Sequence, residues 1–308
     1  EKVIRYADAE FVYYGEGYKK LVYEDMVAHL SVKLEGTVKR WIYIGRDTER
    51  HWMTEKSFVF AERMKKATKE IGGYIRQVKP EDTAAILFTS GTTAMPKGVM
   101  LSHYNLVNSA LELCSHMGWA AEDKMLIAVP LFHCFGLTAS IHAGCCMHTI
   151  EYYKTLTVLK TVQEHRCTLL NGVPSMFLAI IRNPVHTEYD LSSLRNGIIA
   201  GSPVSEEEYY AIRREIPGLI LHASYGQTET SPCVSISDAA DSEKERATTA
   251  GRVLRHCEVR IAGPDGSWLS SDQDGEICVR GYNVMQGYYR LPEETAKVID
   301  AEGWLHTG

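Results

Sequence analysis

No two of the eight cysteines stand in CxxC spacing, which removes the paired arrangement typical of zinc ribbons and dithiol redox sites. No apolar run is long and clean enough to cross a bilayer: the longest, over 125–147, is broken by Pro130, His133, Thr138, Ser140 and His142 and reads as buried core. A basic block is missing too. Lys and Arg number 33 against 39 Asp and Glu, a net charge of −6, which argues against nucleic acid and an anionic membrane as partners, as the broken apolar run argues against stable membrane insertion. With no secretory leader in view, scattered thiols imply a reducing, cytoplasmic setting. The cluster HAGCCMH (His142, Cys145, Cys146, His148) leaves two readings, a metal site or a core of small soft residues. Adjacent cysteines point in different directions on a helix or strand, which favours the core. Both ends, Glu1 and Trp304 to Gly308, are abrupt, and the chain is expected to be a piece of something longer.

What is present is an ordinary globular composition, 45% hydrophobic and 23% charged over 308 residues, enough for about two domains. Residues 11–14 and 41–44 read as strands, and 58–71 as an amphipathic helix with Phe58, Ala61, Met64 and Ala67 on one face. From Thr83 onward the rhythm is regular. Strands are expected at 84–88, 125–129, 149–153, 168–170, 197–200 and 219–223, separated by helical patterns; one carries Leu106, Val107, Ala110, Leu111 and Cys114. Ser205 and Glu208 have capping-box spacing. Alternating strands and helices imply an α/β fold with a parallel sheet, whose post-strand loops share one edge where ligands bind. After Ser237 the pattern changes to strands at 253–261 and 276–280, around the turn Gly263-Pro264-Asp265-Gly266, with Pro292 opening a helix to about 299. The expected organisation is therefore an α/β core over 1–237 and a β-rich subdomain over 238–308.

The stretch TSGTTAMPKG at 89–98 follows the strand at 84–88 and fails the Walker pattern, because Pro96 precedes Lys97 and Gly98 follows it. Its chemistry still suits phosphate. Gly91 and Gly98 let backbone amides approach an anion, Thr89, Ser90, Thr92 and Thr93 offer hydroxyls, and Lys97 adds a compact charge. A flexible turn has a similar composition, so the loop alone leaves both readings open. Glu229, in YGQTET, would repel phosphate unless a Mg²⁺ ion bridged them; an exposed loop acid is the alternative. Tyr225 offers a flat face to a base, and His133 in PLFHCFG stands beside an apolar stretch where it could line a substrate tunnel or simply pack in the core.

Together FTSGTTAMPKGV, LSHYNL, PLFHCFG, NGVPSMF, AGSPVSEE, YGQTETSP and GEICVRGYNVMQGYY with GWLHTG resemble the adenylate-forming, AMP-binding superfamily, and most closely its acyl-CoA synthetases. The resemblance covers about residues 84–308. It implies the large N-terminal domain of such an enzyme, with ATP, Mg²⁺ and CoA as cofactor and co-substrates. It further implies that residues 90–97, including Ser90, Gly91, Thr92, Thr93 and Lys97, hold the β- and γ-phosphates beside Thr89. Gly201, Ser202 and Pro203 would frame adenine opposite Ser224 and Tyr225, and Gln227 would belong to the same nucleotide loop. Thr228 would meet the α-phosphate and Glu229 would bind Mg²⁺, so that Thr228, Glu229 and Lys97 carry the catalysis. His133, Val173 and Gly226 would face the acyl group. Ala94 replaces a glycine usual in the family, which implies a stiffer loop. The ribose-binding Asp that follows the HTG motif, the hinge and the lysine-bearing C-terminal domain would come after Gly308. The implied activity is conversion of a carboxylic acid, a medium- or long-chain fatty acid by resemblance, to acyl-AMP and then acyl-CoA. Alternatives are an aryl-acid ligase, an enzyme loading a carrier protein, and a fragment that binds nucleotide without turnover.

Overall fold

Two units divide the chain, residues 1–78 and 79–308, and the computed structural model describes residues 1–18, 20–45, 57–59, 64, 77–89, 96–131, 133–135 and 141–308. In the first unit, strands β1 (Phe11–Tyr14), β2 (Arg40–Tyr43) and β3 (Ser57–Val59) pair in parallel in that order. Helix α1 (Tyr23–Lys33) brings Val27 to a core shared with Tyr14, Leu34, Val38, Trp41 and Tyr43. The helix expected over 58–71 has Phe58 in β3 instead, while 60–63 and 65–71 lie outside the described residues.

The second unit opens with β4 (Thr83–Thr89) and β5 (Lys97–Ser102), followed by α2 (His103–Met117). Ser102 caps α2 reciprocally with Asn105. Then come β6 (Lys124–Ile127), β7 (Cys146–Thr149), α3 (Thr155–His165), β8 (Leu169–Asn171), α4 (Pro174–Ile181), β9 (Asn196–Ile199), α5 (Glu206–Glu215) and β10 (Ile220–Tyr225). The short strands β11 (Ser235–Ile236) and β12 (Arg252–Val253) complete a sheet of order β12-β11-β10-β9-β8-β6-β7. Pairing is parallel from β7 to β10 and antiparallel at β11 and β12.

Both faces of this sheet are covered. Leu126, Leu170, Ile199 and Leu221 enter a core with Val158 and Leu159 of α3, Phe177 of α4 and Tyr209 and Ile212 of α5. Their chain neighbours Met125, Ile127, Leu169 and Ile198 join the opposite core with Leu113, Cys114 and Met117 of α2. Adjacent strand residues point to opposite faces, so near-continuous apolar runs are what a sheet buried on both sides requires. Ser205 and Glu208 form the expected capping box at α5.

Three strand expectations are corrected: the strand expected over 149–153 lies earlier, as β7, which ends at Thr149, and those at 84–88 and 253–261 differ as follows. The strand at 84–88 does not join the parallel sheet: β4 pairs antiparallel with β5. The link 90–96 is too short for the crossover that parallel pairing needs, so the two strands close as a hairpin. Residues 238–308 supply β13 (Cys257–Ala262), β14 (Glu276–Gly281), β15 (Gly287–Tyr288), α6 (Pro292–Val298) and β16 (Leu305–His306). Strands β13, β14 and β16 form an antiparallel sheet, whereas β15 adds antiparallel to β5. The single strand expected over 253–261 is two, with His256 at φ +62° between them. Among the described residues no helix is long and apolar enough to cross a membrane.

Opposite the loop edge, one carboxylate ties three neighbouring strands together. Asp123, buried just before β6, accepts hydrogen bonds from Thr168 Oγ1 before β8 (2.7 Å) and from Arg195 Nε before β9 (2.9 Å). Burial pushes its pKa up, but hydrogen bonds from Arg195, Thr168 and the Ala120 amide more than reverse this, and the net shift is downward. A folded-state pKa below the unfolded value of about 3.9 means that the clamp stabilises above that pH and is lost as pH falls through the folded value. Asp123→Asn is therefore expected to cost about 1–3 kcal/mol in urea unfolding at pH 7 and to flatten the acid limb of the stability curve.

Candidate functional site

Loops that follow β6, β8, β9 and β10 meet at the carboxyl edge of the parallel sheet around a cavity of about 470 Å³. The β10 loop contributes most. It leaves the sheet through Ser224 and Gly226 and turns over Thr228–Thr230, a single 3-10 turn. Gly226 is there because its backbone runs against Pro232, where an added Cβ would stand 1.9 Å from the Pro232 carbonyl oxygen. Inside the turn, the Gln227 amide donates to Thr230 Oγ1 (3.0 Å), and the Thr230 hydroxyl donates back to the Gln227 carbonyl (2.9 Å). Residues far along the chain brace it. Ser231 Oγ donates to Asn283 O (2.7 Å), Asn283 Nδ2 to Cys233 O (2.9 Å), and the Met285 amide to Glu229 O (2.9 Å).

The other loops are set as firmly. Asn171, buried at the end of β8, accepts from the Ile198 amide (3.0 Å) and aligns β8 with β9 before Val173 enters the cavity wall. Gly201 turns out of β9 with φ +87°, a conformation that a side chain would resist. After β6, the Phe135 amide donates to His133 Nδ1 (3.3 Å), which places the ring proton on Nε2. His133 is open to the cavity rather than packed in the core, yet the surrounding walls strip enough water to lower its pKa, so the ring is neutral at pH 7. Thr89, from the end of β4, completes the lining. The walls divide by chemistry into an apolar set (Leu113, Val129, Phe135, Val173, Ile198 and Cys233) and a polar set (Thr89, Ser224, Gln227, Thr228 and Glu229).

Beside the cavity lies a charged network. Lys97 Nζ pairs with Glu294 Oε2 at 2.9 Å and sits 4.8 Å from the centre of the Tyr288 ring. The Tyr288 hydroxyl donates to Glu229 Oε1 at 3.0 Å. Burial first, and the Glu229 charge second, push the Tyr288 pKa upward, so the phenol keeps its proton for that bond. The other oxygen of Glu229 carries no hydrogen bond among the described residues and remains available to a hard cation.

Of the residues expected from sequence, Thr89, His133, Val173, Gly201, Ser224, Gly226, Gln227, Thr228 and Glu229 share the cavity. Lys97 and Tyr225 are half-buried outside its lining, and Ser202 and Pro203 are exposed just beyond Gly201. Ser90, Gly91, Thr92 and Thr93 lie outside the described residues. Cys145 is buried in the core cluster of α2, Cys146 is exposed, and His148 stacks on His165 at 4.3 Å. The HAGCCMH residues thus close no three-donor group, and among the described residues Glu276, Cys278 and His306 alone do. There His306 Nδ1 already pairs with Glu276 (2.9 Å), which raises the histidine pKa, and burial pushes the Cys278 thiol up to about 11. A histidine already paired with a carboxylate, beside a thiol that keeps its proton, is not a ready metal centre. Sequence reading missed Tyr288, Glu294 and the apolar wall of Leu113, Phe135 and Cys233. The GYY and PEET runs were visible, but nothing local links them to Lys97 or Glu229.

A family model described as AMP-binding enzyme matches residues 2–289. YngI of Bacillus subtilis (strain 168), named among the acyl-CoA synthetases, is 36% identical over 326 residues, covering 99% of this chain and 59% of that protein. 4-Coumarate-CoA ligase 1 of Narcissus pseudonarcissus is 34% identical over 242 residues, 75% of this chain and 44% of that protein. The chain therefore spans less than two thirds of either relative's length. The inhibitor-bound N-terminal domain of FACL13 from Mycobacterium tuberculosis superposes with a TM-score of 0.80 at 23% identity, over 100% of this chain and 72% of that one. At such identity the likeness concerns the fold.

Gly226→Ala tests the close approach that shapes the β10 loop. The added methyl meets backbone, which cannot swing aside, so a loss of roughly 1–3 kcal/mol in chemical denaturation is expected; unchanged stability would mean that the loop sits elsewhere.

Proposed function

Since this chain belongs to the AMP-binding enzyme family, we propose that it carries the adenylation site of an ATP-dependent acid–thiol ligase, an acyl-CoA synthetase acting on a fatty acid. The observation that carries the reading is a cavity in which an apolar wall adjoins the polar turn Gln227-Thr228-Glu229. An apolar acid tail and a phosphate-bearing nucleotide need those two surfaces side by side.

In this reading Thr89 and Lys97 flank the triphosphate together with Ser90, Gly91, Thr92 and Thr93. Adenine lies between Gly201, Ser202 and Pro203 on one side and Ser224 and Tyr225 on the other. His133, Val173 and Gly226 face the acid. Neutral His133 suits this position, because it lines the tunnel without attracting the carboxylate away from phosphorus. Thr228 donates to the α-phosphate, and Glu229 supplies a carboxylate oxygen for Mg²⁺, which when bound offsets phosphate charge. A carboxylate oxygen of the acid attacks the α-phosphorus, the bond from phosphorus to the α,β-bridging oxygen breaks, and pyrophosphate leaves. A CoA thiolate then adds to the acyl carbonyl and AMP departs with the former carboxylate oxygen. Positioned donors, rather than a dedicated base, carry the first step.

An aromatic acid is the second reading, supported by the identity to a 4-coumarate-CoA ligase and by Phe135 in the apolar wall. The scattered placing of the eight cysteines, none in CxxC spacing, suits a reducing, cytoplasmic setting.

Carboxylate-dependent exchange of pyrophosphate into ATP, run on this chain and on its full-length parent with straight-chain and aromatic acids, tests the proposal. Exchange with straight-chain acids is the expected result. Exchange confined to aromatic acids transfers the assignment to the second reading, and nucleotide binding without exchange by the parent leaves a binding function. Lys97→Ala is expected to weaken ATP use roughly tenfold, the size of one charge-assisted contact. Glu229→Gln should raise the Mg²⁺ concentration needed for half-maximal exchange. Unchanged kinetics in both variants would remove Lys97 and Glu229 from the phosphate site.

A further inference from the structure

Glu294 belongs to none of the motifs that mark the site, yet its carboxylate is the ion-pair partner of Lys97, from 197 residues away. The same carboxylate also pairs, through its other oxygen, with Lys297 one turn along α6. Two lysines thus share one acid. The carboxyl is held down to about 2, first by Lys297 and then by Lys97.

Packing fixes this arrangement. The Tyr288 amide donates to Thr295 Oγ1 at 2.9 Å, and the Thr295 hydroxyl donates to Leu291 O at 3.0 Å, which anchors the start of α6 to β15. Glu294, next to Thr295, is thereby aimed at the first residue of β5. The ring of Tyr288 lies under the Lys97 ammonium while its hydroxyl holds Glu229.

We propose that Glu294 is a positioning residue, the resting counter-ion of Lys97: it competes with phosphate for the lysine, and Lys297 sets how strongly. The inference rests on the reading of Lys97 as a triphosphate contact. When phosphate takes the Lys97 ammonium, Glu294 keeps Lys297 and is not left as a bare charge beside the polyanion. The face of Tyr288 remains available to the ammonium in either position. Glu294 therefore opposes ATP binding through Lys97, and Lys297 favours it through Glu294.

The test is equilibrium binding of Mg-ATP and of AMP to this chain by calorimetry, at low and high salt. Glu294→Gln is expected to tighten Mg-ATP about two- to fivefold, the scale of a partly exposed ion pair, and to leave AMP unchanged. Lys297→Ala is expected to act the other way, because Glu294 is then undivided and grips Lys97 harder. Both effects should vanish in a Lys97→Ala background and shrink at high salt. If Glu294 only anchors α6, Glu294→Gln will lower the melting temperature and weaken ATP and AMP alike, which overturns the proposal. Unchanged ATP affinity in Glu294→Gln, where Lys97→Ala does weaken ATP, overturns the counter-ion assignment while sparing the site. ATP affinity indifferent to Lys97→Ala, or no ATP binding by the unaltered chain, overturns the site reading and this inference with it.

Discussion

Parallel pairing of β7, β6, β8, β9 and β10 is the constraint from which the rest of the larger unit follows. Strands that run the same way must send every following loop to one edge and return through helices on the faces. That geometry gathers His133, Val173, Gly201 and Thr228 from four separate stretches of chain into one cavity. At the opposite edge Asp123 ties together the segments entering β6, β8 and β9, so the register of the three strands is held where no ligand is needed. A slip of one residue would exchange the two apolar faces, sending Leu126 to the side of Met125.

The sheet alone does not finish the site. The turn carrying Glu229 is held from outside by Asn283 and Met285, and its carboxylate is oriented by Tyr288. Those residues arrive on a segment whose strand β15 pairs with β5, the strand that begins at Lys97. Hairpin, β10 loop and C-terminal segment are therefore one mechanical assembly. A change in any of them moves a charge at the site. The buried cluster of Val99, Leu101, Met285 and Tyr288 gives that assembly its apolar backing.

Much of the larger unit was legible because its signals are local. The apolar runs near 125, 169, 198 and 221 announce buried strands. Ser205 with Glu208 announces a helix start, and the order of motifs announces the AMP-binding family. The hairpin of β4 and β5 was misread because a strand followed by a glycine-rich loop looks the same whether the next element is a helix or a returning strand. The break near His256 was missed because a single left-handed residue leaves no periodicity to read.

What the sequence by itself determined is the chemistry offered: hydroxyls and a lysine near 89–97, a carboxylate at Glu229, a histidine at 133, and the family in which such groups recur. These are covalent facts or short-range patterns, and folding cannot alter them. Only the tertiary structure decided which groups face one another. Lys97 meets Glu294, and Glu229 meets Tyr288, across 197 and 59 residues of chain. Contacts at that separation depend on how a hairpin, a loop and a helix pack, and no spacing rule within one stretch of sequence encodes them.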